Sequence, residues 1–381
     1  MKMEQARVGI LGGGQLGKML NYTANQWNLA LSILDKDPDF PSGINAWKFV
    51  KGDFRNYEDV LAFGREQDIV GVEIEHVNIQ ALHELSEMGI QIHPSPQALE
   101  IIKDKYLQNQ FYRQHHLPTV TFDRFDTKEA ILSALQSGKI KMPFVQKTRG
   151  EGYDGRGVHL VNDREDLDHL LEGPSIVESK VSIRKELAVL TARNASGEIR
   201  TYDPVEMVFN DQNMLAYLYA PADIPSNIHE KMMEIARATM EAFSISGLLA
   251  IEFFWTEDDA ILVNEVAPRP HNSGHHTLEY AVTSQFEQHL RGLLNFPLGN
   301  TALLRPAAML NVLGEPGHTG PPVYEGMHEI MAMENVHVHL YGKPETRPFR
   351  KMGHITVSGS DRQNIEQKVA HIQSKFKIIS A

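Results

Sequence analysis

Strand and helix signals alternate over the first hundred residues, and this alternation limits the fold more than any other feature of the chain. Residues 7–11 form a short apolar run, 12–17 a glycine-rich turn, and a helical pattern continues to about Ala24. Residues 29–34 read as a second strand ending at Asp35, 57–67 as a helix and 69–75 as a third strand. Residues 79–88 are helical again and 90–93 extended. Strands joined through helices of this length cannot close as hairpins. The crossovers make them parallel, in an α/β unit with helices on both faces of the sheet.

Beyond this point the texture changes. A helix is predicted over residues 96–115, ended by Leu117-Pro118-Thr119. Strands are predicted at 144–147, 158–161, 175–178, 185–192 and 199–208, in an antiparallel arrangement. Residues 228–243 fit a helix, with Met232, Ile235, Ala236, Met240 and Phe243 on one stripe. From Arg305 onward proline and glycine are frequent and the apolar runs are short. The expected organisation is an α/β unit over 1–110, a larger α+β unit over 111–302 and a small β-rich unit over 303–381, too much chain for one core at 381 residues.

Composition narrows the function. Hydrophobic residues at 42% and charged residues at 23% exclude a disordered or fibrous chain. The formal charge of −12 argues against binding to nucleic acid or to an anionic membrane, but leaves room for a local basic pocket. Without cysteine there is no disulfide, thiolate metal site or cysteine nucleophile. The charged first five residues and the short apolar run after them suggest neither a signal peptide nor a membrane span, so a soluble cytoplasmic protein is expected.

Four segments carry chemistry. Gly12, Gly14 and Gly17 match G-x-G-x-x-G, with Asp35 near the spacing that would hold a ribose; a dinucleotide site and a helix N-terminus presented to another anion both fit. After Lys147, a loop with four glycines in the eight positions 150–157 can bring backbone amides onto an anion, and it lacks the G-K-[ST] ending of a Walker loop. Residues 247–255 and 261–266 read as a hairpin in which a turn centred on Asp258-Asp259 sets Glu252 opposite Glu265. Two carboxylates so placed in apolar strands repel unless a divalent cation joins them, and an all-oxygen set favours magnesium. The segment 267–276, rich in hydrogen-bonding groups, follows directly. Its adjacent His275 and His276 read as ordinary polar histidines and not as a metal pair. Finally, Lys343, Arg347, Arg350, Lys351 and His354 form a local excess of cations suited to a phosphate-bearing ligand, or to a solvated basic strand.

Taken in order, Gly-Gly-Gly-Gln-Leu-Gly-Lys-Met (12–19), Glu-Ile-Glu-His-Val (73–77), Gly-Tyr-Asp-Gly-Arg-Gly (152–157), Asn-Glu-Val-Ala-Pro-Arg-Pro-His-Asn-Ser-Gly-His (264–275) and Arg-Pro-Phe-Arg-Lys-Met-Gly-His (347–354) resemble the 5-(carboxyamino)imidazole ribonucleotide synthases of purine biosynthesis, in the ATP-grasp superfamily. The resemblance implies an ATP-grasp fold with a Rossmann-like N-terminal domain, a central ATP-grasp domain and a small β-rich C-terminal domain. It implies carboxylation of 5-aminoimidazole ribonucleotide by bicarbonate and ATP, through carboxyphosphate, with two magnesium ions. Lys105 and Lys147 would meet ATP phosphates beneath a cover of Gly152, Tyr153, Asp154, Gly155, Arg156, Gly157 and Val158. Glu178, Ser179, Lys180 and Val181 would form the adenine hinge, Glu186 would take the ribose, and Asn210 stands where some relatives place a nucleotide-contacting histidine.

By the same resemblance, Glu252 and Glu265 would hold the metal, with Asn264 alongside. Gln15, Tyr153, Asp154, Arg156, His271, Asn272 and Ser273 would meet the ribonucleotide, with Lys343, Arg350 and Lys351 near its phosphate. Lys147, Arg156 and His271 are the implied catalytic groups, His271 as proton acceptor or substrate orienter. A homodimer is expected, and so is a separate mutase to consume the product, because the chain ends at Ala381 without a second enzyme unit. The competing readings are another ATP-grasp ligase, such as formate-dependent glycinamide ribonucleotide transformylase, and an NAD-dependent oxidoreductase built on the first glycine loop.

Overall fold

The computed structural model describes residues 6–150 and 157–381. The N-terminal unit runs β1 (Val8–Leu11), α1 (Gln15–Gln26), β2 (Leu31–Asp35), β3 (Lys48–Lys51), α2 (Tyr57–Gly64), β4 (Ile69–Val72), α3 (Ile79–Glu87) and β5 (Gln91–His93). Its five strands are parallel in the order β3-β2-β1-β4-β5. One face packs Val8, Ile10, Leu31 and Ile33 against Leu16, Met19 and Leu20 of α1; the other packs Leu11, Val70 and Val72 beneath α2 and α3. Asn56 and Asn78 cap α2 and α3 by accepting the amides of Asp59 and Ala81. Two details depart from the sequence reading. Edge strand β3, Lys-Phe-Val-Lys, has no fully buried residue and so gave no apolar signal. Strand β4 stops at Val72, which frees Glu73 to turn toward the glycine loop.

The helix expected over 96–115 is two helices, α4 (Pro96–Lys103) and α5 (Lys105–Gln114). Asp104 is the reason. Its backbone is extended (φ −114°, ψ 110°), and its carboxylate accepts the amides of Tyr106 and Leu107, so it starts a second helix instead of continuing the first. Next come β6 (Phe122–Phe125), α6 (Lys128–Gln136), β7 (Phe144–Thr148), β8 (Val158–Val161) and β9 (Ser175–Ser179), with strand order β6-β9-β7-β8.

The remaining elements are β10 (Ile183–Arg193), β11 (Ile199–Thr201), β12 (Val205–Phe209), β13 (Leu215–Ala220), α7 (Ser226–Phe243), β14 (Gly247–Thr256), β15 (Ile261–Ala267), α8 (Thr277–Tyr280) and α9 (Gln285–Leu293). They are followed by β16 (Ala307–Leu313), β17 (Pro322–Glu325), α10 (Met327–Met331), β18 (Val336–Leu340), β19 (Lys351–Ser358), α11 (Arg362–Lys375) and β20 (Lys377–Ser380). The strand expected over 199–208 is therefore two, both paired with β10 and separated by a segment holding Pro204, which has no amide to donate.

A single antiparallel sheet, β15-β14-β10-β12-β13-β16-β19-β18, runs through the central region and on into the C-terminal region across the β13–β16 ladder. Beyond short strands, the tail carries the 14-residue helix α11, whose Ile365, Val369 and Ile372 pack with Val312 and Ile355. Helix α9 also crosses between units: Phe286, Leu290 and Leu293 complete the core on the α1 side of the parallel sheet. Among the described residues no helix is long and apolar enough to cross a membrane.

Candidate active site

The β14–β15 hairpin sets Glu252 directly opposite Glu265, but by a different route from the one the turn suggested. Trp255 pairs with Ile261 and Phe253 with Val263, which centres the turn on Asp258 alone. A bulge at Asn264 adds one residue to β15 and restores the pairing of the two glutamates. It also brings Asn264 and Glu265 together toward the same cleft. There Lys147 Nζ donates to Asn264 Oδ1 at 3.0 Å, and Lys105 Nζ lies 2.6 Å from Glu265 Oε2.

Three elements meet at these cations. Lys105 is the first residue of α5, and its amide donates to the carbonyl of Arg149 at 2.9 Å; Arg149 in turn pairs with the helix-capping Asp104. Lys147, near the end of β7, forms a buried pair with Glu178 Oε2 at 2.7 Å, and Asn109 Nδ2 donates to the other oxygen of Glu178 at 2.9 Å. Glu265 keeps 44% of its side-chain surface open to the cleft. Lys105 beside it holds its carboxyl well below the usual range. Burial, together with the charges of Glu265 and Glu186, pushes the Glu252 carboxyl up, and burial raises Glu186 as well. The cleft thus gathers more carboxylate than its two lysines neutralise.

The other predicted nucleotide positions are dispersed around this centre. Ser179 donates its amide to Thr121 O, and Lys180 Nζ bonds Asn162 Oδ1 at 2.9 Å. Val181 follows β9 and is half-buried. Glu178 directs its carboxylate inward to Lys147, and its backbone lies between β6 and β7, opposite Phe122 and Val145. Asn210 closes the β12–β13 turn, accepting the amides of Gln212 and Met214. Gly157 accepts Thr148 N at 2.9 Å, and the exposed Val158 pairs with Lys147 at the start of β8. Gly152, Tyr153, Asp154, Gly155 and Arg156 lie outside the described residues.

The segment after β15 returns over the hairpin. His271 Nε2 stands 3.6 Å from Glu252 Oε1, and Nδ1 meets Ser273 Oγ at 2.9 Å. Gln285, which the sequence reading overlooked, fixes this turn: its amide accepts His271 N and donates to His271 O, both at 2.8 Å, and meets His275 Nδ1 at 3.0 Å. Both amide atoms of Asn272 are buried without a partner among the described residues. His275 and His276 are buried, not solvated, and burial drives both imidazoles toward the neutral form. Among the described residues no three His, Asp or Glu side chains are grouped to hold a metal.

A cavity of about 300 Å³ opens beside the first glycine loop, lined in part by Gln15, Asp35, Glu73, Lys343 and Arg350. Its floor explains the loop. Asp35 accepts Gly13 N at 2.5 Å, and Glu73 accepts Leu16 N at 3.0 Å while packing against Gly14, where any Cβ would collide with it. The protein's own carboxylates therefore occupy the amides that a dinucleotide pyrophosphate would need, which removes the basis for the oxidoreductase reading. Burial pushes Glu73 up to about 7. On the opposite lip, Lys343 Nζ donates to Lys351 O at 2.7 Å and Arg350 Nη1 to Glu345 O at 2.7 Å. Burial and the neighbouring Arg350 lower Lys343 to about 8. Glu73 was also missed as a site residue, although two carboxylates, Glu73 and Glu75, directly after an apolar strand were a visible signal. Glu75 accepts Arg269 Nη2 at 3.2 Å and ties the 267–276 segment to this lip.

Comparisons with known proteins match three successive parts of the chain. Residues 5–103 match a ribonucleotide synthetase preATP-grasp domain, 110–286 an ATP-grasp domain, and 307–368 a phosphoribosylaminoimidazole carboxylase C-terminal domain. The chain is 36% identical to a phosphoribosylaminoimidazole carboxylase of Candida glabrata, over 97% of this chain and 66% of that longer one. It superposes on N5-carboxyaminoimidazole ribonucleotide synthetase of Thermotoga maritima with a TM-score of 0.91, at 40% identity, covering 99% of this chain and 100% of the other. The N5-carboxyaminoimidazole synthase of Aspergillus clavatus, solved with ADP and 5-aminoimidazole ribonucleotide, gives a TM-score of 0.86 at 32% identity, covering 98% of both chains. With three family domains matched in order along the chain and 40% identity over 99% of it, this protein belongs to the N5-carboxyaminoimidazole ribonucleotide synthase family of ATP-grasp ligases.

Proposed function

We propose that the chain carboxylates 5-aminoimidazole ribonucleotide on its exocyclic amine, using bicarbonate and ATP and releasing ADP and phosphate, as a step of purine nucleotide synthesis. The observation that carries this reading is the pairing of two sites: a carboxylate-rich cleft with Lys105 and Lys147, and a neighbouring cavity ending in Lys343 and Arg350. The first suits ATP, and the second suits a small phosphorylated substrate. The N5-carboxyaminoimidazole synthase of Aspergillus clavatus was solved with a nucleotide and this ribonucleotide together.

The residues of the cleft fit magnesium. Two opposed carboxylates, one pushed up by burial and by its neighbour, plus the amide oxygen of Asn264, make a hard-oxygen set that leaves room for phosphate oxygens. Glu252 and Glu265 would hold the ions, and bound magnesium would neutralise phosphate charge during transfer. Lys105 and Lys147 orient the phosphates, and Ser179–Val181 present backbone groups to the base, with Glu186 toward the ribose. A bicarbonate oxygen attacks the γ-phosphorus, and the bond to the ADP oxygen breaks. The amine of the ribonucleotide then forms the C–N bond at the carboxyl carbon as phosphate leaves, and the amine loses one proton. His271, held by Gln285 beside Glu252, is the group we assign to that proton. The glycine-rich loop over 150–157 would exclude water from the intermediate. We further propose a homodimer and a separate mutase acting on the product.

The test is ADP release in the presence of magnesium. It should require both bicarbonate and 5-aminoimidazole ribonucleotide, and formate should not replace bicarbonate. Equal release with glycinamide ribonucleotide and formate would assign the chain to the transformylase reaction instead.

A further inference from the structure

Lys18 belongs to the 12–19 motif, yet neither the cleft nor the cavity uses it directly. From helix α1 its ammonium donates to the carbonyls of Leu340 and Tyr341, at 2.9 and 3.2 Å, at the end of β18. These contacts join positions 322 and 323 residues apart in the chain. The same helical turn is fixed from its other side by Asn45, which donates to Lys18 O at 2.9 Å. Tyr341 is 2% exposed and packs with Leu16, Met19 and Leu20 of the N-terminal core. Its hydroxyl meets His354 Nδ1 at 3.0 Å, which ties the segment to β19 as well. Gly342 follows with φ of 80°, and a Cβ there would lie 3.7 Å from the Lys18 ammonium.

The next residue, Lys343, lines the cavity. Gln15, three residues before Lys18 and on the same face of α1, lines the opposite lip. Lys18 is therefore bonded across the gap between the two lips, two residues short of the cation on the far side. Burial lowers its pKa, and among the described residues no carboxylate forms an ion pair with it. A cation kept half-buried against two carbonyls, where an apolar side chain would pack at less cost, indicates a geometric purpose.

We propose that Lys18 is a positioning residue for the ribonucleotide: by clamping the 340–341 backbone to α1, it sets the distance between Gln15 and Lys343 and so the fit of the phosphorylated substrate. This rests on the cavity being the ribonucleotide site. Lys18 touches no reacting atom, so its effect belongs in substrate affinity and not in nucleotide binding. A charge-assisted hydrogen bond to the substrate phosphate that is lost when Lys343 is displaced corresponds to about ten- to a hundredfold in affinity.

The experiment compares wild type, Lys18→Met and Lys18→Arg by calorimetric titration with 5-aminoimidazole ribonucleotide and by steady-state titration of each substrate, with thermal unfolding alongside. Lys18→Met should raise the ribonucleotide constant about ten- to a hundredfold, leave the ATP constant within about twofold, retain most of kcat at saturating ribonucleotide and unfold near the wild-type temperature. Lys18→Arg should recover part of the affinity, because a guanidinium can still donate to two carbonyls. An unchanged ribonucleotide constant in Lys18→Met overturns the clamp while leaving the assignment of the reaction intact. So does a parallel loss of ATP affinity, kcat and thermal stability, which is the mark of a general structural role. Failure of wild type to bind the ribonucleotide removes the cavity reading itself, and the clamp with it.

Discussion

Two carboxylates face one another across β14 and β15, and their neighbours give them opposite behaviour. Glu265, against Lys105, stays ionised, whereas Glu252, buried beside two other glutamates, is pushed toward the neutral form. Glu265→Gln keeps the shape but removes the charge that pairs with Lys105 and that the proposed magnesium would need. Turnover should fall by about a thousandfold or more, the scale of losing a principal electrostatic group, with thermal stability within a few degrees of wild type. Near-normal activity at saturating magnesium would remove Glu265 from the chemistry. At the second cavity, Lys343 is cationic below about 8 and neutral above it. A substrate phosphate becomes a dianion above about 6. Ribonucleotide affinity should therefore be greatest between these limits and weaken as pH rises through 8, while the ATP constant stays flat. Lys343→Met should remove the part of the decline centred near 8 and leave only the part due to Glu73, which ionises at about 7 in the same cavity. A decline of the same size in that variant would place the titrating group elsewhere.

At the scale of elements, what could be read from the sequence depended on whether an element's signal lay within it. The parallel strands other than β3, with α7 and the glutamate hairpin, announced themselves by apolar runs and by one striped helix. The break at Asp104 is different, because it lies inside one continuous helical pattern: the Asp104 carboxylate caps α5 through the amides of Tyr106 and Leu107 and also pairs with the distant Arg149. The bulge at Asn264 is a tertiary fact too, and without it the correct pairing of Glu252 with Glu265 would rest on a turn centre that the chain does not adopt. Helix α11 was legible in principle, through Ile365, Val369 and Ile372 at helical spacing, but its polar majority hid the stripe. Asn210 was placed by its sequence position, and the structure gives it a turn to close. Helix α9 exposes the limit of reading units separately, since Phe286, Leu290 and Leu293 join the core of the N-terminal sheet while His289 of the same helix accepts Leu248 N of β14 in its own region. Phe286→Ala should cost about 3–5 kcal/mol of unfolding free energy, seen as a lower denaturant midpoint. A loss below about 1 kcal/mol would mean that α9 is not the cover of that sheet.

Across the whole molecule, three regions contribute lips to two adjoining sites. The N-terminal sheet supplies the glycine loop and Glu73, the central region supplies the glutamate hairpin with Lys105 and Lys147, and the β18–β19 connection supplies Lys343 and Arg350. One continuous sheet and the shared helix α9 hold these regions in register. The arrangement predicts coupling: phosphoryl transfer in the cleft should be productive only when the amine is seated next door. The direct measurement is the amount of labelled bicarbonate fixed as acid-labile carbamate, set against ADP released in the same reaction with magnesium and 5-aminoimidazole ribonucleotide. The account predicts about one carbamate per ADP, because each transfer activates one bicarbonate for one amine, and little ADP without the ribonucleotide. ADP released with no fixed label, or equally fast without the ribonucleotide, would contradict it.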